Sequence, residues 1–163
     1  MYGRLAIPFI GPGGNVYDLR FRCLDEHDHK DPDVHCPKYL GSEGIQTRLY
    51  NTRALASDSL TIAICEGELD AATLTVCGWA AVGVTGAKAW KAHHPRMFSG
   101  FDRVVVIGDG DSAGKDFVSS VVRSMPSQAS GVIMSGSQGS DINEVYVNSG
   151  KAGLIELLKG DSE

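Results

Sequence analysis

Arg103-Val-Val-Val-Ile-Gly-Asp-Gly-Asp-Ser-Ala-Gly-Lys115 decides the fold. Its first six residues form an apolar, β-branched run of strand length, the composition of a strand covered on both faces. Two aspartates follow, spaced by one glycine. Ser112 to Ser124 then reads as a helix with Phe117, Val118, Val121 and Val122 on one face. A buried strand that hands acidic residues to a helix is a building block of parallel α/β sheets. Such sheets gather ligands at the carboxyl ends of their strands.

The same grammar recurs on both sides of this stretch. Upstream, Leu60 to Cys65 is a second apolar, β-branched run, followed by Glu66-Gly-Glu-Leu-Asp70. Glu68 to Cys77 reads as a helix with Leu69, Ala72, Thr73 and Val76 on one face. Ala80 to Val84 reads as a short strand, and Lys88 to Phe98 as a helix limited by Pro95. Downstream, Gly131 to Met134 reads as a strand, then a Ser/Gly loop leads to Asp141-Ile-Asn-Glu144. Ile142 to Val147 and Ala152 to Leu158 read as short helices. The alternation predicts a parallel sheet with crossover helices over residues 57–163.

Residues 1–56 differ. Arg4 to Ile10 and Val16 to Leu24 flank the turn Gly11-Pro-Gly-Gly-Asn15, a hairpin signal. Asp25 to Pro37 is polar and reads as a loop. Lys38-Tyr-Leu40 and another Gly/Ser turn follow. The prediction is a small antiparallel, β-rich unit ahead of the α/β domain.

Composition narrows the function classes. A hydrophobic fraction of 42% is that of a folded protein rather than a disordered one. No apolar run approaches the ~20 residues of a membrane span, and the N-terminus shows no signal-peptide pattern, so the expectation is a cytoplasmic protein. A net charge of −5 argues against a protein that coats nucleic acid with a broad positive surface. It does not exclude a nucleic-acid enzyme, since bound cations offset acidic excess.

Three acidic motifs therefore fall at three predicted strand ends: Glu66 to Asp70, Asp109 to Asp111, and Asp141 to Glu144. Carboxylates so grouped repel one another without a cation. Mg²⁺ prefers oxygen ligands and takes one or two protein carboxylates together with waters and phosphates. Glu66, Asp109, Asp111 and Asp141 are the metal candidates, and Asn143 can add an amide oxygen. Gly110 and Gly114 are read as permitting tight turns. Taken singly, Asp109 or Asp111 reads equally well as a helix N-cap, and Asp70 as part of a solvated helix face. The coincidence of three motifs favours a site.

In this order, Glu66-Gly-Glu-Leu-Asp70, Asp109-Gly-Asp-Ser-Ala-Gly114 and Asp141-Ile-Asn-Glu144 resemble the Toprim domain. That domain is shared by DnaG-type primases, type IA and II topoisomerases, recombination mediators and some nucleases. The resemblance covers about residues 59–158 and implies a Rossmann-like parallel sheet flanked by helices. It implies Glu66 as general acid/base or metal-linked carboxylate, with Asp109, Asp111 and Asp141 binding Mg²⁺ or Mn²⁺, two ions in all. Glu66-Gly-Glu-Leu-Asp70-Ala-Ala looks like the primase version, which assigns a catalytic role to Asp70. Gly83-Val-Thr-Gly86 and Asp109 to Asp116 are similar to primase segments. Asn143 stands where cellular primases often carry Asp, as in phage helicase-primases. Gly14 to Arg22 with Pro37-Lys-Tyr-Leu40 looks like the basic subdomain preceding Toprim. That makes Lys38 and Tyr39, then Arg20 and Arg22, candidates for nucleic-acid contact, with Lys115 beside the acidic edge.

What the resemblance implies is two-metal synthesis of RNA primers from ribonucleoside triphosphates on single-stranded DNA. A zinc-binding primase subunit and a replicative helicase are the implied partners, in the host cytoplasm if the chain is phage-encoded. A Toprim nuclease and a non-catalytic nucleic-acid-binding module share the same residues.

Weaker signals are few. Cys23, His27, His29, His35 and Cys36 lie in one stretch, but their spacing matches no standard zinc module. The plainer reading is a solvated loop with scattered histidines. Cys65 and Cys77 read as small buried hydrophobes, and Trp79 and Trp90 as packing residues rather than base-stacking platforms.

Overall fold

The computed structural model describes residues 3–29, 31–42, 48–86, 89–134 and 140–160, with side chains through Leu158. Lys30, Lys88, most of the Gly/Ser turn after Leu40 and the Ser/Gly loop before Ser140 lie outside the described residues. The chain divides into two compact units, Met1–Thr47 and Arg48–Glu163.

In the first unit, β1 (Arg4–Ile10) and β2 (Val16–Cys23) form an antiparallel hairpin, and β3 (Tyr39–Gly41) pairs antiparallel with β2. The turn closes through Gly14, whose φ of 84° suits glycine and whose N–H donates to Gly11 O at 2.9 Å. Among the described residues of this unit, Ile7, Phe9 and Cys23 are buried.

The second unit holds a five-stranded sheet in the order β4-β6-β5-β7-β8. These are β4 (Leu49–Tyr50), β5 (Thr61–Cys65), β6 (Ala81–Val84), β7 (Arg103–Gly108) and β8 (Ala129–Ile133). All pairs are parallel except β4 with β6. β4 was not evident from sequence. Leu49 pairs with Val84 and is buried, so residues 48–56 pack with the second unit, although the sequence had suggested a boundary after residue 56.

Alternation along β5 and β7 fills both faces. Ala63, Cys65, Val105 and Ile107 pack with α1 (Glu68–Val76) and α3 (Ile142–Gly160). Ile62, Ile64, Val104 and Val106 pack with α2 (Ser112–Ser124) and with Phe98 and Phe101. Two-sided burial is why these strands read as unbroken apolar runs.

Three local expectations change. The segment expected as a helix up to Phe98 forms a 3-10 turn at His94–Phe98, because Pro95 removes a backbone donor. In α1 the buried face is Glu68, Ala71 and Leu74, while Val76 is exposed; the wedge between sheet and α3, not apolar content, selects that face. α3 is one segment broken at Gly150 (φ 64°), so the two expected short helices adjoin there. Trp90 packs against Phe98 and His94 as expected. No described helix is long and apolar enough to cross a membrane.

Candidate metal centre

β5 and β7 run side by side in parallel, with Cys65 opposite Ile107. Glu66 and Asp109 therefore leave the sheet at the same carboxyl end, and the Asp109 N–H hydrogen-bonds Glu66. β8 flanks β7, and Met134 N–H donates to Gly108 O at 2.9 Å. Gly110 N–H donates to Ser140 O at 2.9 Å. That bond brings the start of the third motif alongside the second.

The glycines matter for a different reason from the one expected. Neither Gly110 nor Gly114 is among the glycines with positive φ. Each is required by close approach instead. A Cβ on Gly110 would stand 2.5 Å from Met134 O, and one on Gly114 would strike the Asp109 backbone. Gly83 does the same under the first motif, where a Cβ would lie 2.5 Å from Gly67 O.

Two of the carboxylates also cap helices. Asp111 Oδ1 accepts from Gly114 N–H at 2.8 Å at the start of α2. Asp141 Oδ1 accepts from Glu144 N–H at 2.7 Å at the start of α3. Capping engages one oxygen of each and holds the carboxylate in a fixed orientation.

Glu66 is the anomaly. Its Oε2 is buried and has no hydrogen-bond partner among the described residues. Burial first, then the charges of Asp109 and Asp111, push its pKa above the ordinary carboxylate range. A buried acceptor without a donor costs about 1–3 kcal/mol, and a facing cation removes that cost. The donor set is all oxygen, which suits Mg²⁺ or Mn²⁺. The oxygens of Glu66, Asp109, Asp111 and Asp141 share one end of the sheet but do not form a mutually close ligand group. Among the described residues, only Cys23, His27 and His29 bring their ligand atoms all within 4.8 Å of one another. Such spacing leaves coordination positions for waters and phosphates.

Asp70 and Asn143 face each other. Asn143 Nδ2–H donates to Asp70 Oδ1 at 2.6 Å, and Thr73 Oγ1–H donates to Asn143 Oδ1 at 2.6 Å. The amide oxygen expected to ligate a metal thus accepts from Thr73, and Asn143 ties the third motif to α1. Thr73, which reads from sequence as part of the apolar face of α1, instead joins the acidic motifs through Asn143. Glu144 is a further residue whose part was not foreseen. Its Oε2 accepts from Ser140 N–H at 2.7 Å and from Ser140 Oγ–H at 3.0 Å, which holds its pKa low. Glu68 is fully buried; burial first, and then the Glu68 charge, raise the Tyr50 pKa. The second acid of Glu66-Gly-Glu68 was its only sequence signal. Lys115 is exposed in the first turn of α2.

In the first unit, Arg20 lies over the Tyr39 ring at 4.5 Å, and Arg22 donates to Tyr39 Oη at 2.8 Å. The register Arg22 opposite Tyr39 puts them together. Lys38 is exposed, and its carbonyl accepts from Cys23 N–H at 2.9 Å.

A parallel sheet with three acidic motifs at one end defines a Toprim-like domain, and the Toprim-like family matches residues 63–146. The chain belongs to this family. It is 39% identical to the gene 57 protein of Mycobacterium phage D29 over 160 residues, covering 96% of this chain and 98% of that protein. The fold is that of DnaG-type primase catalytic cores. A DnaG primase catalytic domain bound to single-stranded DNA superposes with a TM-score of 0.75 at 22% identity, over 97% of this chain and 53% of that one. The primase fragment of the bacteriophage T7 primase-helicase gives 0.70 at 21% identity, over 93% and 60%. The chain thus spans little more than half the length of these primase structures.

Proposed function

We propose that this chain is the catalytic part of a DNA primase, joining ribonucleoside triphosphates on a single-stranded DNA template. The carrying observation is the buried, unpartnered Glu66 Oε2 beside Asp109 and Asp111 at the end of a Toprim sheet.

Glu66, Asp109, Asp111 and Asp141 would hold Mg²⁺ or Mn²⁺, in two ions. Bound there, the metal supplies activation of the primer 3′-hydroxyl and neutralisation of the pyrophosphate. The rest falls to the chain's own groups. Glu66, whose pKa is raised by burial and then by the charges of Asp109 and Asp111, is the carboxylate placed to handle a proton at this edge. Asp111 and Asp141 are oriented by their caps, so little reorganisation is needed when substrate arrives. Asp70, held by Asn143, fixes α1 against the third motif. Lys115 places a cation next to the edge for triphosphate. Arg20, Arg22 and Lys38 offer backbone-phosphate contacts, and Tyr39 an aromatic face for a base.

The zinc-binding and helicase functions would come from separate partners, and the reaction would take place in the cytoplasm of the host cell. The test is incubation with labelled ribonucleotides, single-stranded template and Mg²⁺ or Mn²⁺, with and without a zinc-binding primase partner. Oligoribonucleotide synthesis supports the reading. Template degradation would assign a nuclease instead, and binding with neither reaction would assign a non-catalytic module.

A further inference from the structure

The loop between β2 and β3, read from sequence as solvated with scattered histidines, folds its Cys and His side chains together. Cys23 Sγ lies 3.5 Å from Cys36 Sγ and 3.9 Å from His27 Nε2. His27 Nε2 lies 3.2 Å from His29 Nδ1. The ligand atoms of Cys23, His27 and His29 all lie within 4.8 Å of one another, and Cys36, against Cys23, lies just outside that group. Cys23 is buried, and His27, His29 and Cys36 are half-buried, whereas His35 is exposed and takes no part. All four cysteines of the chain are free thiols.

We infer that Cys23, His27 and His29, joined by Cys36 as its sulfur moves in from beside Cys23, form a tetrahedral zinc site that clips the β2–β3 loop of the first unit. The distances match the metal. With Zn–S near 2.3 Å and Zn–N near 2.0–2.1 Å, tetrahedral edges come to roughly 3.8 Å for S···S, 3.6 Å for S···N and 3.3 Å for N···N. The three separations along the series Cys36–Cys23–His27–His29, at 3.5, 3.9 and 3.2 Å, fall within a few tenths of these, and Cys36 closes the remaining edges by swinging toward the histidines. The donor set also suits the ion. Two sulfurs and two imidazoles select zinc over the hard cations of the carboxylate edge.

The surroundings fit as well. Arg4 Nη2–H donates to Cys36 Sγ at 2.9 Å and Nη1–H to Pro37 O at 2.9 Å. A guanidinium donating to a thiolate ligand is the kind of outer partner that orients metal ligands. Arg4 sits on β1 opposite Cys23, so the clip engages both hairpin strands. Loading sends the two thiol protons to solvent as two Zn–S bonds form. His29 Nδ1, now 2.8 Å from Cys36 O, exchanges that contact for the metal, with its proton on Nε2. The spacing C-x3-H-x-H-x6-C kept the site hidden, because no standard module shares it.

The inference is independent of the primase reading. Its test uses the full chain, purified under reducing conditions from zinc-supplemented cells, with metal content measured by mass spectrometry. About one zinc per chain is expected. Replacement by Co²⁺ should give the visible ligand-field bands of a tetrahedral site and a thiolate-to-cobalt charge-transfer band. Cys36→Ser and His29→Asn replace half-buried loop residues, so they carry the test in place of Cys23. Each should weaken zinc retention at least tenfold in chelator competition, and Cys36→Ser should diminish the charge-transfer band. Asp109→Ala, at the carboxylate edge, should retain the zinc. Absence of zinc from the purified protein together with a cobalt adduct lacking the charge-transfer band would overturn the assignment. So would zinc content and cobalt spectra unchanged in both loop variants.

Discussion

The carboxylates of the Arg48–Glu163 unit and the Cys/His group of the Met1–Thr47 unit are built in opposite ways. The first come from three strand-to-helix connections, brought together by a parallel sheet. The second come from the end of one strand and the loop after it. The carboxylates of the edge stand apart rather than in mutual contact, and two of them are fixed by helix caps. In the Cys/His group, Cys23, His27 and His29 already hold their donor atoms within 4.8 Å of one another, and Cys36 lies beside Cys23. Separation leaves room for substrate to complete the coordination. Proximity suits a donor set that the protein completes by itself. The unpartnered Glu66 Oε2 belongs with the first kind, because a site completed by substrate leaves an acceptor waiting.

The largest effect should come from the carboxylate edge. Asp109→Ala and Asp111→Asn should each lower metal-dependent primer synthesis by at least about 100-fold, a loss typical of a charged group acting on the transition state. Asn can still cap α2, so Asp111→Asn should melt near the parent temperature, whereas Asp111→Ala should also lose about 1 kcal/mol. Synthesis that survives in both Asp109→Ala and Asp111→Asn would remove the carboxylates from the chemistry.

Steric closeness gives the next effect. Gly110→Ala must displace Met134 O from 2.5 Å. It should destabilise the second unit by about 1–3 kcal/mol, the usual cost of forcing atoms into a packed position, and reduce activity through the displaced aspartates. Thermal unfolding with activity measured below the transition separates the two. A variant as stable as the parent would show that the loop relaxes freely.

Asn143→Ala tests whether this residue is a tie or a ligand. It removes partners from Asp70 and Thr73, so a loss of about 1–2 kcal/mol is expected. The Mg²⁺ concentration giving half-maximal activity should stay within about twofold of the parent, a shift worth under about 0.5 kcal/mol. A tenfold rise in that concentration would restore Asn143 to the metal shell.

How much of this was legible in the sequence depended on what carries the information. β5, β7 and α2 were legible because two-sided burial writes long apolar runs and a periodic face. β4 was not: Leu49 and Tyr50 are two residues whose strand state depends on pairing with Val84 and Gly83. Val76 misled the reading of α1, since an apolar residue can sit on a solvated face when tertiary packing chooses another. The three acidic motifs stood out because each follows a strand. Their mutual ties did not, because the contact between Asn143 and Thr73 spans 70 positions of chain. The Cys/His group was visible as a composition but not as a site, since its spacing obeys no common pattern and only the fold brings Cys36 back to Cys23.

The smallest effect concerns protonation of Glu66. Its folded pKa lies above the unfolded value, through burial and then the charges of Asp109 and Asp111. Between those two values the folded state binds more protons than the unfolded one, so the metal-free protein loses stability as pH rises through that window. Above it the cost is fully present. Glu66→Gln removes the charge while keeping the shape, so it should stabilise the metal-free protein at neutral pH. The gain should be below about 1 kcal/mol, because the side chain is partly exposed and solvent screens the repulsion. The same substitution should flatten the pH dependence of the melting temperature across the window. Adding Mg²⁺ should close the gap between parent and variant, since the cation offsets in the parent the repulsion that the variant lacks. A Glu66→Gln protein less stable than the parent without metal would mean that the buried oxygen has a partner in solution, and the carboxylate edge would then be a satisfied structural network rather than a site awaiting a cation.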